Sequence, residues 1–452
     1  MKFINEHILA DSFDQDDFER IIRDEEIKAE DGNEYEVVLQ LIRLLNIKEY
    51  NEKIYFFDSE SNRYKTGERN FEKAVADHLR GQKSYYHTEV LKQISKYVTR
   101  VDQPEKGFDI RFKNGIIRHG LGFIEIESLE FTPFYIDLEF NPEAPRVKEI
   151  DDYINQLTEG DKNYKLQLAE MIAHALITNE EFKRSLAKFT IIIGKGGEGK
   201  GTLIEIISRI LGKENCSFNS IKNLADERYA YDLVGKLANL GDDIEDAPIT
   251  NAEMKMLKNI STCDPVMVRS LHNMAYSTKL TASLIFTSNH LLKTHEKGDS
   301  YKRRVTWCPM FNRPSKPDHK LISKLTTPEA LQYWLRLVVE GYERLYENKT
   351  FTKSKKVESY TEQYHEENNS CEFWVKSIDT NLLIGKRPPE VYNEYEIWAL
   401  ENEGKAQSAR AVKNAIESIH GLTVGPRKIN GTSAKVYVKA DDKRSTCGFK
   451  QV

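Results

Sequence analysis

The 452-residue chain contains only five cysteines and no Cys-x-x-Cys pair. Cys216, Cys263, Cys308, Cys371 and Cys447 are scattered and odd in number, so neither a disulfide framework nor a cysteine zinc site is expected. No apolar run approaches the roughly 20 residues of a membrane span, and the N-terminus lacks a basic-then-apolar leader. A membrane partner is therefore not expected, and the expected setting is a reducing cytoplasm. An excess of positive charge is also missing. The 66 basic and 71 acidic side chains leave a net charge of -5, which excludes a globally basic nucleic-acid coat but leaves room for local basic surfaces. There is no internal repeat and no low-complexity segment. What remains is an ordinary globular composition, 39% hydrophobic and 30% charged, long enough for about two to four domains.

The most informative stretch runs from Thr190 to Thr202, Thr-Ile-Ile-Ile-Gly-Lys-Gly-Gly-Glu-Gly-Lys-Gly-Thr. A short β-branched strand enters a glycine-rich loop (Gly194, Lys195, Gly196, Gly197, Glu198, Gly199), and an amphipathic helix is expected over Leu203–Leu211. This is the layout of a phosphate-binding P-loop. Glycines let backbone N–H groups curl around a phosphate, the helix N-terminus adds positive potential, and Lys200 supplies a point charge for β- and γ-phosphates. The G-x-x-x-x-G-K pattern departs at the next position. Gly201 stands where a Ser or Thr normally ligands Mg²⁺, with Thr202 one residue later. Either Mg²⁺ is held through water or Thr202 reaches it; both readings stay open.

Nucleotide hydrolysis also needs carboxylates at a neighbouring strand end. Leu237-Ala-Asn-Leu-Gly-Asp242-Asp243 supplies a pair about 40 residues after Lys200. We assign Asp242 to the metal shell and Asp243 to the attacking water, against the plainer reading of a solvated acidic turn. A third strand, from Ala282, ends at Asn289, whose amide could hold the lytic water or sense the γ-phosphate. Arg303-Arg304 follow, and a planar guanidinium here could stabilise a transferred phosphoryl group from an adjacent subunit.

Around this core, residues 1–40 are acidic. Strand–turn–strand patterns occupy Ile54–Tyr64 and Asp109–Arg118, with helices expected over Phe71–Leu79 and His87–Val98. A proline-rich crossing at Asn141–Pro145 precedes a predicted helix over Tyr164–Ile177. Alternating helices and apolar strands over 185–312 indicate a parallel α/β sheet. The segment from Arg313 to His319 reads as a loop, Pro328–Glu347 as a long helix, and Lys353–Lys356 as a linker. At the C-terminal end, Pro389–Glu403 and Ser408–His420 read as helices, stopped by Gly421 and followed by a hairpin over Leu422–Lys439. That order is winged-helix topology. Arg410 and Lys413 lie on its second helix and Arg427 and Lys428 on its wing, positions from which a major groove and phosphates could be contacted. The plainer alternative is a packing module with solvated basic side chains.

The sequence of elements Gly194–Thr202, Leu233–Asp243, Phe286–Asn289 and Lys302–Val305 resembles that of superfamily 3 helicases. More narrowly it resembles the phage and plasmid primase–helicase branch, including replication helicases of satellite phages and pathogenicity islands. A further family motif, a Lys with a Gly-Asp turn and a projecting hairpin, is matched by Lys258, Asp264, Arg269, His272 and Asn273, with Cys263 in place of the usual glycine. The resemblance implies an α/β AAA+ P-loop NTPase core with a parallel sheet, an α+β N-terminal domain and a C-terminal winged helix. The corresponding spans are 1–150, 151–350 and 351–452. It also implies ATP and Mg²⁺ bound between subunits of a homo-hexameric ring, single-stranded DNA in the channel, 3′-to-5′ translocation and duplex or origin binding, all in a host bacterial cytoplasm. Only about 185 residues precede the P-loop and they hold no paired-carboxylate polymerase motif, so a separate primase is an expected partner. Two other readings stand beside it: an initiator ATPase that does not unwind, and a nucleoside monophosphate kinase-like phosphotransferase.

Overall fold

The computed structural model describes residues 34–125, 130–241, 244, 249–270, 273–290, 292, 299–314, 318–368, 370–403, 406–429 and 432–439. It is a mixed α/β structure organised around a five-stranded, wholly parallel sheet. The strands are β1 (Phe189–Ile193), β2 (Cys216–Ser217), β3 (Ala238–Gly241), β4 (Ser283–Ser288) and β5 (Val305–Pro309), in spatial order β5-β1-β4-β3-β2. Every residue of β1 is buried, as a continuous β-branched run requires when helices cover both sheet faces.

Helices α1 (Lys148–Thr158), α2 (Lys162–Ala173), α3 (Lys200–Leu211), α4 (Asn251–Ser261) and α5 (Pro328–Asn348) surround the sheet. The predicted Tyr164–Ile177 helix is α2 plus a 3₁₀ turn over His174–Leu176. Sequence reading placed no helix at α1, yet its Ile150, Tyr153, Ile154 and Leu157 are all buried, at the i, i+3, i+4, i+7 spacing of an apolar stripe. The long helix α5 is capped by Thr327, whose side chain accepts from the Ala330 N–H, with Pro328 at its first turn. Gly341 brings α5 onto α2: a Cβ there would stand 3.1 Å from the Ala169 backbone.

Residues 34–124 form a four-stranded mixed sheet, in which Lys48–Tyr50 pairs in parallel with Thr99–Arg100, and a three-stranded antiparallel sheet, with flanking helices. Lys53–Asp58 pairs with Arg63–Thr66, and Ile110–Phe112 with Gly115–Arg118, which bears out both hairpin expectations. Tyr50, Tyr55, Phe57 and Phe112 from these sheets share one apolar core with α1, α2, α3 and α5. Lys53 donates to the Val234 carbonyl at 2.7 Å and so ties the first sheet to the turn before β3.

Toward the C-terminus, a helix over Lys355–Asn368 takes up part of the expected linker. A separate apolar cluster then unites helix α6 (Pro388–Glu403), helix α7 (Ala409–His420) and the antiparallel pair β6 (Leu422–Ile429) and β7 (Thr432–Lys439). Ser408 caps α7 by accepting from the Ala411 N–H, and Gly421 ends it at φ +63°. Both features were legible in the sequence.

Candidate functional site

Strand β1 runs directly into the glycine loop, and α3 leaves it. Gly196, Gly197 and Gly199 hold φ angles of +110°, +86° and +106°, backbone conformations that residues with a Cβ rarely adopt. Helix α3 starts at Lys200, one turn before the expected Leu203, and no side chain caps its N-terminus. Its first N–H groups therefore remain available to an anion.

Lys200 is only 8% exposed. Its ammonium donates to the Gly194 carbonyl at 2.9 Å and to Asn289 Oδ1 at 2.6 Å, and lies 3.5 Å from Glu198 Oε2. Glu198 fills the inside of the loop, 5% exposed, its Oε2 accepting the Gly196 N–H at 2.8 Å. Burial pushes this carboxyl's pKa up. The backbone N–H groups of Glu198 and Gly196 and the Lys200 charge outweigh that and hold it below the usual glutamate range. Gly194 is needed for this fit, since a Cβ there would stand 2.8 Å from the carboxylate oxygen. The loop thus already holds a buried anion on donors suited to phosphate.

The sheet register gathers the other predicted groups at the same end. Ser288 of β4 pairs with Ile193 of β1, and Phe286 with Gly241 of β3. The glycine loop, Asn289 and the chain entering Asp242 all leave the sheet together. Gly241 is sterically required, because a Cβ there would lie 2.3 Å from the Phe286 ring. Asp242 and Asp243 themselves lie outside the described residues, as does His272. Lys195 is exposed and Thr202 half-buried. A Cβ added to exposed Gly201 meets nothing within 4 Å, so the start of α3 has open space where a metal-binding hydroxyl would usually stand.

Arg303 and Arg304 fall at the other end. They precede β5, whose first residue, Val305, pairs with Phe189 at the start of β1. Crossing β1 from there to the glycine loop takes about 13 Å of strand, so neither arginine is placed to reach the loop of its own chain. Arg303 is exposed and Arg304 half-buried.

Three residues at the loop escaped sequence reading. Tyr153 on α1 donates its hydroxyl to the Gly199 carbonyl at 2.9 Å. Gln156, one turn on, donates to the Glu198 carbonyl at 3.3 Å and the Asn312 carbonyl at 3.2 Å. Both could have been found from the apolar spacing of α1. The third is Arg313, whose Nε lies 2.8 Å from where a Gly197 Cβ would stand; its proline-rich surroundings gave no signal.

The expected hairpin forms from Val266–Val268 and Tyr276–Thr278. Cys263 adopts φ +50°, the left-handed conformation that suits the glycine it replaces. Lys258 is half-buried on α4, Arg269 is ion-paired to Glu227 at 3.0 Å, and Asn273 is exposed and donates to Ser270 Oγ at 2.6 Å. Met274, near the tip, is 89% exposed. In the C-terminal unit Arg410, Lys413, Arg427 and Lys428 are all exposed, Lys413 lying 3.6 Å from Glu417. Among the described residues, no helix is long and apolar enough to cross a membrane.

A family model described as a family of unknown function (DUF5906) matches residues 192–304, from the end of β1 to the arginine pair. In fold the chain is similar to apo structures of the NrS-1 C terminal region. One is 14% identical with a TM-score of 0.53, the match covering 88% of this chain and 98% of that one. Another is 15% identical with a TM-score of 0.50, covering 89% and 99%. The likeness in fold therefore extends well beyond the stretch that the family model matches.

Proposed function

We propose that this chain is an ATP-driven replicative DNA helicase of a phage or mobile genetic element, an AAA+ P-loop NTPase that moves along single-stranded DNA as a ring. The observation that carries this reading is the buried Lys200 ammonium, which joins the glycine loop to the tip of β4 through Gly194 and Asn289. A nucleotide's β- and γ-phosphates would take the place of the Glu198 carboxylate on the loop N–H groups. Lys200 would hold their charge, Asn289 would sense the γ-phosphate, and Asp243 would orient the attacking water. The open space beside Gly201 suits Mg²⁺, which keeps much of its water shell, with Thr202 and Asp242 as the protein groups that would hold it. Bound there, Mg²⁺ would neutralise charge building on the phosphate oxygens. A neighbouring subunit's Arg303 would complete the site, since each chain's own pair lies at the wrong sheet end. Lys258 and the hairpin, with Arg269, His272 and Asn273, would face single-stranded DNA. The C-terminal unit would act as a winged helix on duplex DNA through Arg410, Lys413, Arg427 and Lys428. A separate primase would supply primers.

The test is strand displacement on a forked duplex with ATP and Mg²⁺. Displacement together with DNA-stimulated hydrolysis is expected. DNA binding and hydrolysis without displacement would point instead to an initiator ATPase, and phosphoryl transfer to a nucleoside monophosphate would overturn the reading altogether.

The loop geometry adds a second expectation. Glu198→Gln removes a negative charge from the space that phosphate must enter, so ATP should bind more tightly, by roughly fivefold if the relief is the ~1 kcal/mol of one water-screened charge pair. The empty protein should lose stability at neutral pH by the same change. A carboxyl held below its ordinary pKa stabilises the fold above the ordinary glutamate range, and that contribution disappears as pH falls through the folded value. Titration calorimetry and thermal melts at neutral and acidic pH check both signs.

A further inference from the structure

Arg313 has no place in the scheme above, yet the chain holds it against the glycine loop. The segment reaching it is fastened to the loop's surroundings at three successive residues. Met310 donates its N–H to the Ile193 carbonyl at 2.7 Å, Phe311 donates its own to Leu157 at 3.5 Å, and the Asn312 carbonyl accepts from Gln156 at 3.2 Å. Because β5 runs parallel to β1, with Pro309 opposite Ile193, this segment leaves the sheet at the same end as Lys200. The Arg313 guanidinium then rests on Gly197, its Nε and Cζ 2.8 and 3.1 Å from the position of a Cβ. A side chain at Gly197 would displace it. Arg313 is exposed. The chain thus carries a cation to the mouth of an anion-binding loop.

We infer that Arg313 is a ligand for the nucleotide's polyphosphate chain within its own subunit. It is distinct from the neighbour's Arg303, and this inference rests on the nucleotide reading above. The two arginines divide the labour by sheet end. Arg313 reaches the loop of its own chain and contributes to binding in a lone subunit, whereas Arg303 contributes only across a subunit junction. A fork-shaped guanidinium suits two phosphate oxygens at once, which an ammonium cannot match.

The experiment measures binding of fluorescent ATP, ADP and AMP analogues to the full chain, as wild type, Arg313→Ala and Arg313→Lys. Arg313→Ala should weaken ATP and ADP by about tenfold to a hundredfold, the range of a lost charge-assisted pair. AMP should change much less, and Arg313→Lys should recover part of the loss. Wild type that binds no nucleotide would overturn the nucleotide reading itself. Wild type that binds while Arg313→Ala binds ATP equally well would overturn only the role of Arg313. Equal losses for AMP, ADP and ATP would place the guanidinium against base or ribose and overturn the phosphate assignment. Circular dichroism melts matching wild type keep a folding defect from imitating the expected result.

Discussion

Lys200→Ala should reduce ATP hydrolysis to background, a loss of roughly a thousandfold or more, because on the nucleotide reading it removes the buried cation that would face the transferred phosphoryl group. The substitution is not free of structural cost. Lys200 also holds the Gly194 carbonyl and Asn289, and it is the positive charge nearest the buried Glu198 carboxylate. Stripping that cation away leaves Glu198 with its backbone N–H partners alone, at a cost on the order of 1–3 kcal/mol. The melting temperature of Lys200→Ala should therefore drop by a few degrees. The double variant Lys200→Ala/Glu198→Gln separates the two effects. With the stranded carboxylate neutralised, the melt should return toward wild type while hydrolysis stays at background. Residues this close couple, so the double variant should be more stable than the sum of the singles. Steady-state phosphate release and melting curves on the three variants check this. A Lys200→Ala protein that hydrolyses ATP at the wild-type rate would remove the basis for reading the loop as a nucleotide site.

Much of this arrangement could be read in the sequence because local rules dictate it. The β-branched run before Gly194 can only be a strand, three glycines at positive φ demand glycine, and Ser408 and Gly421 mark the ends of a helix by capping chemistry. Asn289 could be placed at a strand tip, but not beside Lys200. That neighbourhood depends on β4 inserting between β1 and β3, a long-range pairing that no local pattern encodes. Glu198 read only as one loop residue among several. Its role as the loop's resident anion follows from Gly194 and Gly196, whose backbone approaches the carboxylate. Tyr153 and Gln156 were missed for a different reason. The helical spacing of α1 is present, but the proline-rich stretch before it masks the start of the helix. Arg313 could not have been found at all, since its position is set by the registry of β5 with β1.

That same registry makes the strongest prediction about assembly. Arg303→Ala should be nearly inactive in hydrolysis, down by about a thousandfold if it plays the part of an arginine finger. It should still bind ATP close to normally, because Arg303 lies at the sheet end remote from its own loop. Mixing it with Lys200→Ala, also inactive, should restore activity. Where an Arg303→Ala subunit supplies the glycine loop and a Lys200→Ala subunit supplies the guanidinium, the junction contains both intact groups. In a random one-to-one mixture about a quarter of junctions meet that condition, which sets the expected recovery for independent sites. Arg304→Ala serves as the comparison. Its side chain is half-buried, so its loss should act on folding and show no recovery on mixing. Recovery from mixing Arg304→Ala instead of Arg303→Ala would exchange the two assignments. No recovery from either mixture, with both parents folded and able to exchange subunits, would mean that hydrolysis does not depend on a guanidinium donated across a junction between two copies of the chain.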